Sequence, residues 1–399
     1  MVEQLIRNEK VGGSIPLSGT NRLYPAMGFP SPHQGLSMNT SSKILTALAV
    51  SVLLTACPGS GGDSSSTTTT TTIYGLAVKP DGSLLYIANA GRSTIQTLDL
   101  GLMDNKPATL AGEDNVTGSI SGTGTAARFN APFGLLLNGT TLYVADFYND
   151  KIRKTLTDTK VVSDYPALQS FSRPMAIAQF GTNVYVVATG SHSISRIETA
   201  NNDATIAPWA GTGTSGSTDG AKLAAKFNEP RGVAVDAAGN VYVSDSLNHV
   251  IRKIDVTTDQ VSTIAGSVAT DLTGSYVNST TGANAKFNLP TTLVFSNIGT
   301  DAANGALYVT DTMNHAIRRI SLDPANYAVT TFAGFSGTAG AVVTPTASST
   351  DGVGNNARFS YPWGIAIDST GNLYVSDQGG AKVRKITAAG TVTTFTTTF

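Results

Sequence analysis

Charged side chains are scarce in this sequence. Lys, Arg, Asp and Glu make up 13% of the 399 residues, and the formal net charge is -1, whereas globular chains carry about 25% charged residues. We therefore expect that the protein binds neither a nucleic acid nor an acidic membrane surface through bulk positive charge. The composition also excludes a heptad coiled coil and a collagen-like repeat.

Cysteine is nearly absent, and the apolar run near the start is short. Cys57 is the single cysteine, which excludes an intrachain disulfide and a multi-thiolate metal site. The run from Ile44 to Leu54 is shorter than the roughly 20 apolar residues that cross a bilayer. Its length, and Lys43 just before it, are typical of the hydrophobic segment of a signal peptide.

The residues that follow this run resemble a bacterial lipobox. The sequence Leu54-Thr55-Ala56-Cys57 has small residues before a cysteine, and the resemblance implies that Cys57 is lipidated and becomes the mature N-terminus. Pro58 stands where a retention signal usually has Asp, so the resemblance points to the outer membrane, facing the periplasm or the cell surface. The alternative is a buried apolar segment with an incidental free thiol.

These features divide the first part of the chain. Signal peptides begin within a few residues of the start, and Met38 is suitably placed. We therefore expect residues 1–37 to be a non-native upstream extension and residues 38–56 to be the lipoprotein signal peptide. Residues 57–72 are rich in Gly, Ser and Thr and cannot bury apolar surface, so we expect a flexible tether.

One pattern recurs six times after the tether. Its clearest copy, residues 227–266, contains four short runs rich in β-branched residues, separated by turn residues, which predicts four strands per copy. A tyrosine in the second run marks every copy: Tyr86, Tyr143, Tyr185, Tyr242, Tyr308 and Tyr374. Six such units in tandem predict an all-β fold, a six-bladed β-propeller of four-stranded antiparallel blades.

The repeat resembles the NHL family, which is named for an Asn-His-Leu-like element. That element stands here as Asn248-His249-Val250 and Asn314-His315-Ala316, and the resemblance covers residues 73–399. Blades one and three depart most from the pattern. Because the repeat starts with an innermost strand and ends with an outermost one, we expect each blade to come from one continuous segment.

Comparison of the six copies identifies pairs of opposite charge. In four blades an aspartate ends the second strand and an arginine follows seven residues later: Asp146 and Arg153, Asp245 and Arg252, Asp311 and Arg318, Asp377 and Arg384. Blade one has Asn89 and Gln96 at these positions, and blade three has Ala188 and Ser195. Members that appear and disappear together indicate structural ion pairs, since a lone partner would leave a buried charge.

Other repeated polar residues have structural interpretations too. His192, His249 and His315 occupy one position in consecutive blades, but packed sheets lie about 10 Å apart, so we expect loop hydrogen bonds and no metal site. Asp236 and Asp368 begin Gly-containing hairpin turns, and we interpret them as turn residues. We predict no catalytic residues.

The residue after the loop proline lies where the chain enters the innermost strand in blades two to six, and Tyr74 lies near the corresponding place in blade one. The residue at this position varies from blade to blade. We predict that these positions bind a ligand at the channel mouth: Tyr74, Phe133, Met175, Arg231, Thr291 and Trp363. The long loops between blades lie at the same end, where function is usually carried. We expect alanine at Trp363 and Arg231 to weaken partner capture and to leave the melting temperature nearly unchanged.

Two function classes fit these observations. The first is a monomeric, membrane-tethered, non-enzymatic binding scaffold in the bacterial cell envelope, with no cofactor and with an envelope protein or glycan as partner. The alternative is a lactonase- or lyase-like propeller enzyme with a metal at the channel mouth, which needs acid, amide or histidine ligands on the axis. None of the six innermost strands carries an acid, amide or histidine within the strand, which favours the first class.

Overall fold

A computed structural model describes residues 71–102, 106–166, 170–198, 208–267, 274–334 and 349–396. Six antiparallel sheets account for nearly all of the regular structure in these ranges, and the predicted six-bladed β-propeller is confirmed. The predicted signal peptide and Cys57 lie outside the described residues. No described helix is long and apolar enough to cross a membrane.

Twenty-seven strands are described, and each blade uses a continuous run of them. Blade one has β1 (Ile73–Val78), β2 (Leu84–Asn89), β3 (Thr94–Asp99) and β4 (Ala108–Ala111), and blade two has β5 (Gly122–Thr123), β6 (Pro132–Asn138), β7 (Thr141–Asp146), β8 (Lys151–Leu156) and β9 (Val161–Tyr165). Blade three has β10 (Pro174–Phe180), β11 (Asn183–Ala188), β12 (Ser193–Glu198) and β13 (Pro208–Ala210).

The second half of the ring repeats this order. Blade four has β14 (Gly220–Ala221), β15 (Pro230–Val235), β16 (Val241–Asp245), β17 (Val250–Asp255) and β18 (Gln260–Ala265), and blade five has β19 (Pro290–Ser296), β20 (Ala306–Asp311), β21 (Ala316–Ser321) and β22 (Val329–Gly334). Blade six has β23 (Gly352–Val353), β24 (Pro362–Ile367), β25 (Leu373–Asp377), β26 (Lys382–Ile386) and β27 (Thr391–Thr396).

Short 3-10 helices occupy the connections. Nine are described: Gly124–Ala126, Phe147–Asn149, Thr189–Ser191, Ser246–Asn248, Gly282–Asn284, Gly299–Asp301, Thr312–Asn314, Gln378–Gly380 and Gly354–Asn356. Those in the connection between the second and third strands of blades two to six are each followed by a residue in the left-handed region.

Three blades have a fifth strand that the sequence did not predict. In blades two, four and six, two residues of the long loop that precedes the blade pair with the outermost strand of that same blade. These short strands are β5, β14 and β23. The added pairs cover part of an otherwise open sheet edge. These loops therefore wrap the rim of the ring.

The core lies between the blades. The seam between blades three and four contains Tyr185 and Trp209 from one side and Phe227, Val243 and Ile254 from the other. All of these side chains are buried. Because side chains alternate between the two faces of each strand, a blade packs one face into one seam and the other face into the next. The phenylalanines that begin the blades therefore fill the seams.

A β-bulge near the start of the innermost strand sets the geometry at the axis. In blade six, for example, the register between β24 and β25 shifts between Pro362 and Ile365, and the same shift recurs in the other five blades. A bulge bends the strand and redirects side chains. Here it turns the residue after the proline towards the centre of the ring.

Blades one and six close the ring with the same contacts that join the other blades. A Cβ on Gly364 of blade six would lie 1.9 Å from the carbonyl oxygen of Tyr74 in blade one, and a Cβ on Gly75 would lie 1.9 Å from that of Phe133. Ser376 Oγ donates a hydrogen bond to the same Tyr74 oxygen at 2.8 Å. No strand is borrowed from the other end among the described residues, as predicted.

Candidate functional site

The four predicted Asp–Arg pairs are all present as ion pairs. The nitrogen–oxygen distances are 3.1 Å in blade two, 2.8 Å in blade four, 2.7 Å in blade five and 3.0 Å in blade six, and both side chains of every pair are fully buried. Each pair joins the second strand of a blade to its third strand across the ladder, as the spacing of seven residues requires.

The Nη atoms of each guanidinium group have several partners, while each Nε has no hydrogen-bond partner. Arg252 Nη1 donates to Asp245 Oδ2 at 2.8 Å and to the carbonyl of Lys226 at 3.0 Å, while Nη2 donates to the carbonyl of Thr218 at 3.0 Å. The group also lies over the Phe227 ring, 5.2 Å from its centroid. The arginine thus ties the blade to the loop that precedes it.

Burial also affects the carboxyl group of each pair. Burial raises the pKa of Asp245 to about 6, and the Arg252 charge and the Asn228 N–H counteract that rise. The pKa of Asp146 is raised to about 6 for the same reason. Both groups therefore remain mostly ionised at neutral pH.

Blades one and three, which lack the Asp–Arg pair, have neutral residues at both positions. In blade one Asn89 Nδ2 donates to Gln96 Oε1 at 3.0 Å, so a neutral hydrogen bond replaces the ion pair. Blade three has the small residues Ala188 and Ser195 there, both buried. All six blades thus avoid a single buried charge at this position.

The histidines form loop hydrogen bonds between blades. His192, His249 and His315 each have a positive φ, and each Nδ1 accepts a hydrogen bond from a backbone N–H of the following blade, at 3.0, 2.9 and 2.9 Å. Asp150 does the same with a carboxylate oxygen at 2.8 Å. Burial lowers the pKa of His315 to about 4, so this ring is neutral at pH 7.

The histidines do not converge on one point. Within the parts of the chain that the structure describes, no group of three or more His, Cys, Asp or Glu side chains is placed to hold a metal ion. Asp236 is a turn residue: its Oδ1 accepts from the N–H groups of Ala238 and Asn240, both at 2.9 Å. Asp368 has the same role in blade six.

The six predicted ligand-binding residues meet at one end of the ring. Tyr74 and Phe133 stack with ring centroids 4.1 Å apart, Trp363 meets Tyr74 edge-on at 4.9 Å, and Arg231 lies 5.6 Å from the Trp363 ring centroid. Met175 joins the same apolar cluster, and Thr291 Oγ1 lies 3.3 Å from the Trp363 carbonyl oxygen. We call these six residues the plug, and this end of the ring the plug face.

The plug is buried, and this corrects one expectation. Its members are at most 4% exposed, so the side chains fill the axis instead of lining an open mouth. Replacing Trp363 with alanine would leave a large cavity, and the expectation of an unchanged melting temperature is therefore wrong on physical grounds. Ligand binding by the plug residues stays a prediction.

A channel of about 310 Å³ continues along the axis below the plug. It is lined by the innermost strands of all six blades, starting with the residue that follows the plug residue in five blades and with Val233 in blade four. Its walls become partly exposed towards the strand ends, at Leu137, Val235 and Ile367, so it opens at the opposite end, which we call the open face. Gln179 and Thr292 supply the only polar side chains of this lining. The prediction that no innermost strand carries an amide is therefore wrong for β10, which extends beyond Ala178 to Phe180 and includes Gln179.

A second cavity, of about 160 Å³, lies on the plug face where blades two, three and four meet. It is lined by Phe147, Arg173, Met175, Thr189, Gly190, His192, Glu229 and Arg231. Two of these are plug residues. Arg173 and Glu229 were missed from the sequence, although each precedes one of the loop prolines and has a positive φ.

The hydroxyl groups that join neighbouring blades were missed as well. Thr189, Ser246 and Thr312 each donate to a proline carbonyl of the following blade, at 2.6, 2.5 and 2.7 Å. The signal was present as a Ser or Thr three residues before the histidine position in blades three to five. Each of these residues directly follows the second strand of its blade, where a hydroxyl residue is also typical of a turn.

Comparisons with known proteins agree with this architecture. The family described as SMP-30/Gluconolactonase/LRE-like region matches residues 136–398. The chain is 28% identical over 284 residues to the chloroplastic protein SUPPRESSOR OF QUENCHING 1 of Arabidopsis thaliana, covering 65% of this chain and 25% of that protein. It is 29% identical over 184 residues to human NHL repeat-containing protein 2, covering 44% of this chain and 24% of that protein.

The chain thus spans about a quarter of the length of these curated relatives. Among solved structures, an auxiliary nutrient binding protein from Bacteroides thetaiotaomicron superposes with a TM-score of 0.58 at 15% identity, covering 82% of this chain and 70% of that one. At this identity the likeness shows the fold alone. The family match and the six NHL-like blades lead to one conclusion: the chain belongs to the SMP-30/gluconolactonase/LRE-like family and is an NHL-repeat β-propeller.

Proposed function

We propose that this protein is a non-enzymatic binding scaffold of the bacterial cell envelope, anchored through Cys57 and recognising its ligand or partner at the plug face. The observation that carries the proposal is the cavity beside the plug, where charged side chains that differ from the repeat pattern meet on a rigid ring. Binding sites are concave and combine apolar walls with a few convergent polar groups.

The lactonase- or lyase-like alternative is disfavoured by the residues around the axis. A divalent metal at the channel mouth needs several oxygen or nitrogen ligands at about 2.0–2.6 Å. The described lining of the channel offers one amide, Gln179, and one hydroxyl, Thr292, among aliphatic side chains. These residues do not fit a catalytic metal, and we derive no reaction step from them.

The anchoring part of the proposal rests on the lipobox resemblance and is tested by labelling. Cells that express the wild type and are fed radiolabelled palmitate should yield a labelled protein in the outer-membrane fraction. The Cys57→Ala variant should be unlabelled and should leave that fraction. Label that still enters the variant would exclude Cys57 as the lipid attachment site.

The binding part is tested with two matched surface variants. Tyr148 on the plug face is 40% exposed and Phe180 on the open face is 41% exposed, so both can be replaced with little effect on folding. Tyr148→Ser should reduce the amount of envelope partner that the purified protein retains, and Phe180→Ser should not. The reverse result would place the recognition surface at the open face.

A further inference from the structure

Arg231 is buried without the partners that a buried guanidinium requires. It is 1% exposed, and its one hydrogen bond in the described structure runs from Nη2 to Glu229 Oε2 at 3.0 Å. Its Nε has no hydrogen-bond partner, as in the four arginines of the Asp–Arg pairs, but those arginines use both Nη atoms and Arg231 has no described hydrogen bond from Nη1. Burial lowers the pKa of Arg231, and the Glu229 carboxylate only partly opposes that effect. Buried donors are normally satisfied, so each exception needs an explanation.

Further donors face the same cavity. Arg173 is exposed, and the structure records no hydrogen bond or ion pair from its side chain to any described residue. His192 accepts the Glu229 N–H at Nδ1, so in its neutral form the proton lies on Nε2, which is left as a donor. The cavity thus brings together two guanidinium groups, one imidazole N–H and a single carboxylate.

The other wall of the cavity is apolar. Phe147 is 5% exposed and Met175 is 3% exposed, and both line the space. An inorganic anion would use only the cationic wall. A molecule with an anionic head and a short apolar body would use both walls and would give the unpaired Arg231 donors an acceptor.

We propose that this cavity binds a small organic carboxylate, whose oxygens are held by Arg231 and Arg173 and whose carbon chain lies against Phe147 and Met175. The inference deepens the proposed function, since it rests on the plug face being a binding surface. Paired N–H donors of a guanidinium match the two oxygens of a carboxylate. A cavity of roughly 150 Å³ accommodates a molecule of benzene size, which corresponds to about six non-hydrogen atoms.

Butyrate tests the chemistry, and butyramide is its neutral isostere. Isothermal titration of the purified protein should show saturable butyrate binding at millimolar concentration or below. Butyramide should bind about tenfold more weakly or not at all, because it lacks the charge that pairs with the arginines. Inorganic phosphate should also bind more weakly than butyrate, since it cannot use the apolar wall. Equal binding of butyrate and butyramide, or no butyrate binding, overturns the proposal.

Two variants locate the bound anion. Arg173→Gln should weaken butyrate binding about tenfold with an unchanged urea unfolding curve, because the side chain is exposed and holds no described partner. Lys79→Gln removes one positive charge at the open face and should leave butyrate binding unchanged. Equal losses in both variants would indicate attraction by net charge and would overturn the assigned site.

Arg231→Met keeps the volume of the side chain and removes its donors. We expect butyrate binding to be lost while the protein stays folded. Retained butyrate binding in Arg231→Met would overturn the proposal. If butyrate fails to bind the wild type but Tyr148→Ser still reduces partner capture, the carboxylate inference is wrong and the proposed scaffold function stands.

Discussion

Five arginines of the described propeller are almost fully buried, but the seams and the axis hold them differently. The four seam arginines are Arg153, Arg252, Arg318 and Arg384, and each is paired with a fully buried aspartate. The fifth, Arg231, lies in the plug and is paired with Glu229, whose side chain is 31% exposed. Arg252 makes three further polar contacts to its own blade and loop, and Arg231 makes none.

This difference in partners distinguishes arginines that stabilise the fold from an arginine that serves binding. A charge that recurs in most blades, with a fully buried aspartate and several hydrogen bonds from its Nη atoms, belongs to the repeat, and its removal leaves an uncompensated partner. Arg231 occurs once, at a position where the other blades have aromatic, sulfur or hydroxyl side chains. Because its one described polar partner is the partly exposed Glu229, we infer that a ligand supplies further acceptors.

The largest expected effect is at the seams. Asp245→Ala leaves the buried Arg252 with only the half-exposed Asp219 carboxylate, and Arg252→Ala leaves Asp245 buried without its guanidinium. Each should lower the free energy of unfolding by about 3–5 kcal/mol. The double variant should lose less than the sum of the two, as measured by urea denaturation. Strictly additive losses would show that the pair does not interact.

Blade one supplies the matched control for that experiment. The double substitution Asp245→Asn with Arg252→Gln copies the neutral Asn89–Gln96 pair into blade four. It should cost less than either single alanine variant, because no charge is left buried. A larger loss than in the single variants would mean that the charges themselves stabilise the seam.

The second effect concerns pH. The folded pKa of His315 is about 4, below the usual value of about 6.5. The unfolded chain therefore takes up the proton first, and stability is lost as the pH falls from about 6.5 to about 4, by at most about 3 kcal/mol. His315→Asn keeps an acceptor for the Tyr361 N–H and tolerates a positive φ, and it should remove this loss.

The difference in pH dependence between the wild type and His315→Asn isolates the contribution of the histidine to stability. Asp146 and Asp245 have raised folded pKa values, so their contribution is lost as the pH rises from about 4 to about 6. That contribution is common to the wild type and the variant. Identical pH dependence of unfolding in both proteins would show that His315 is not buried in its neutral form.

A smaller effect is expected at the hydroxyl contacts. Ser376→Ala removes the hydrogen bond to the Tyr74 carbonyl across the closing seam, and Ser244→Ala removes its counterpart to the Thr291 carbonyl inside the ring. Each should cost about 1–2 kcal/mol in thermal or urea unfolding. A much larger loss for Ser376→Ala would show that the closing seam is weaker than the internal ones.

Most of the fold could be predicted from the sequence, because each position of the repeat occurs in six copies that can be compared. Turn aspartates and Asp–Arg pairs could be compared between blades, and the structure contains the corresponding turns and ion pairs. The added strands β5, β14 and β23 could not be predicted, because two-residue pairings leave no periodicity in sequence.

The candidate site was predictable only in part. The sequence predicted Tyr74, Phe133 and Trp363 at the axis, since Phe133 and Trp363 each follow a loop proline and Tyr74 has the corresponding place in blade one. Their burial was not predicted, because it depends on the bulges that turn the six side chains towards one another. The cavity beside them depends on Arg173 and Glu229, which contact it from different blades.

The central claim is that Arg231 binds a ligand, whereas the seam arginines stabilise the fold. Its most direct test is the unfolding free energy of two equivalent variants, Arg231→Met and Arg252→Met, without added ligand. We predict that Arg252→Met loses about 3–5 kcal/mol, because Asp245 stays buried, and that Arg231→Met is unchanged or slightly more stable, because Glu229 reaches solvent. Equal losses in the two variants would contradict the account.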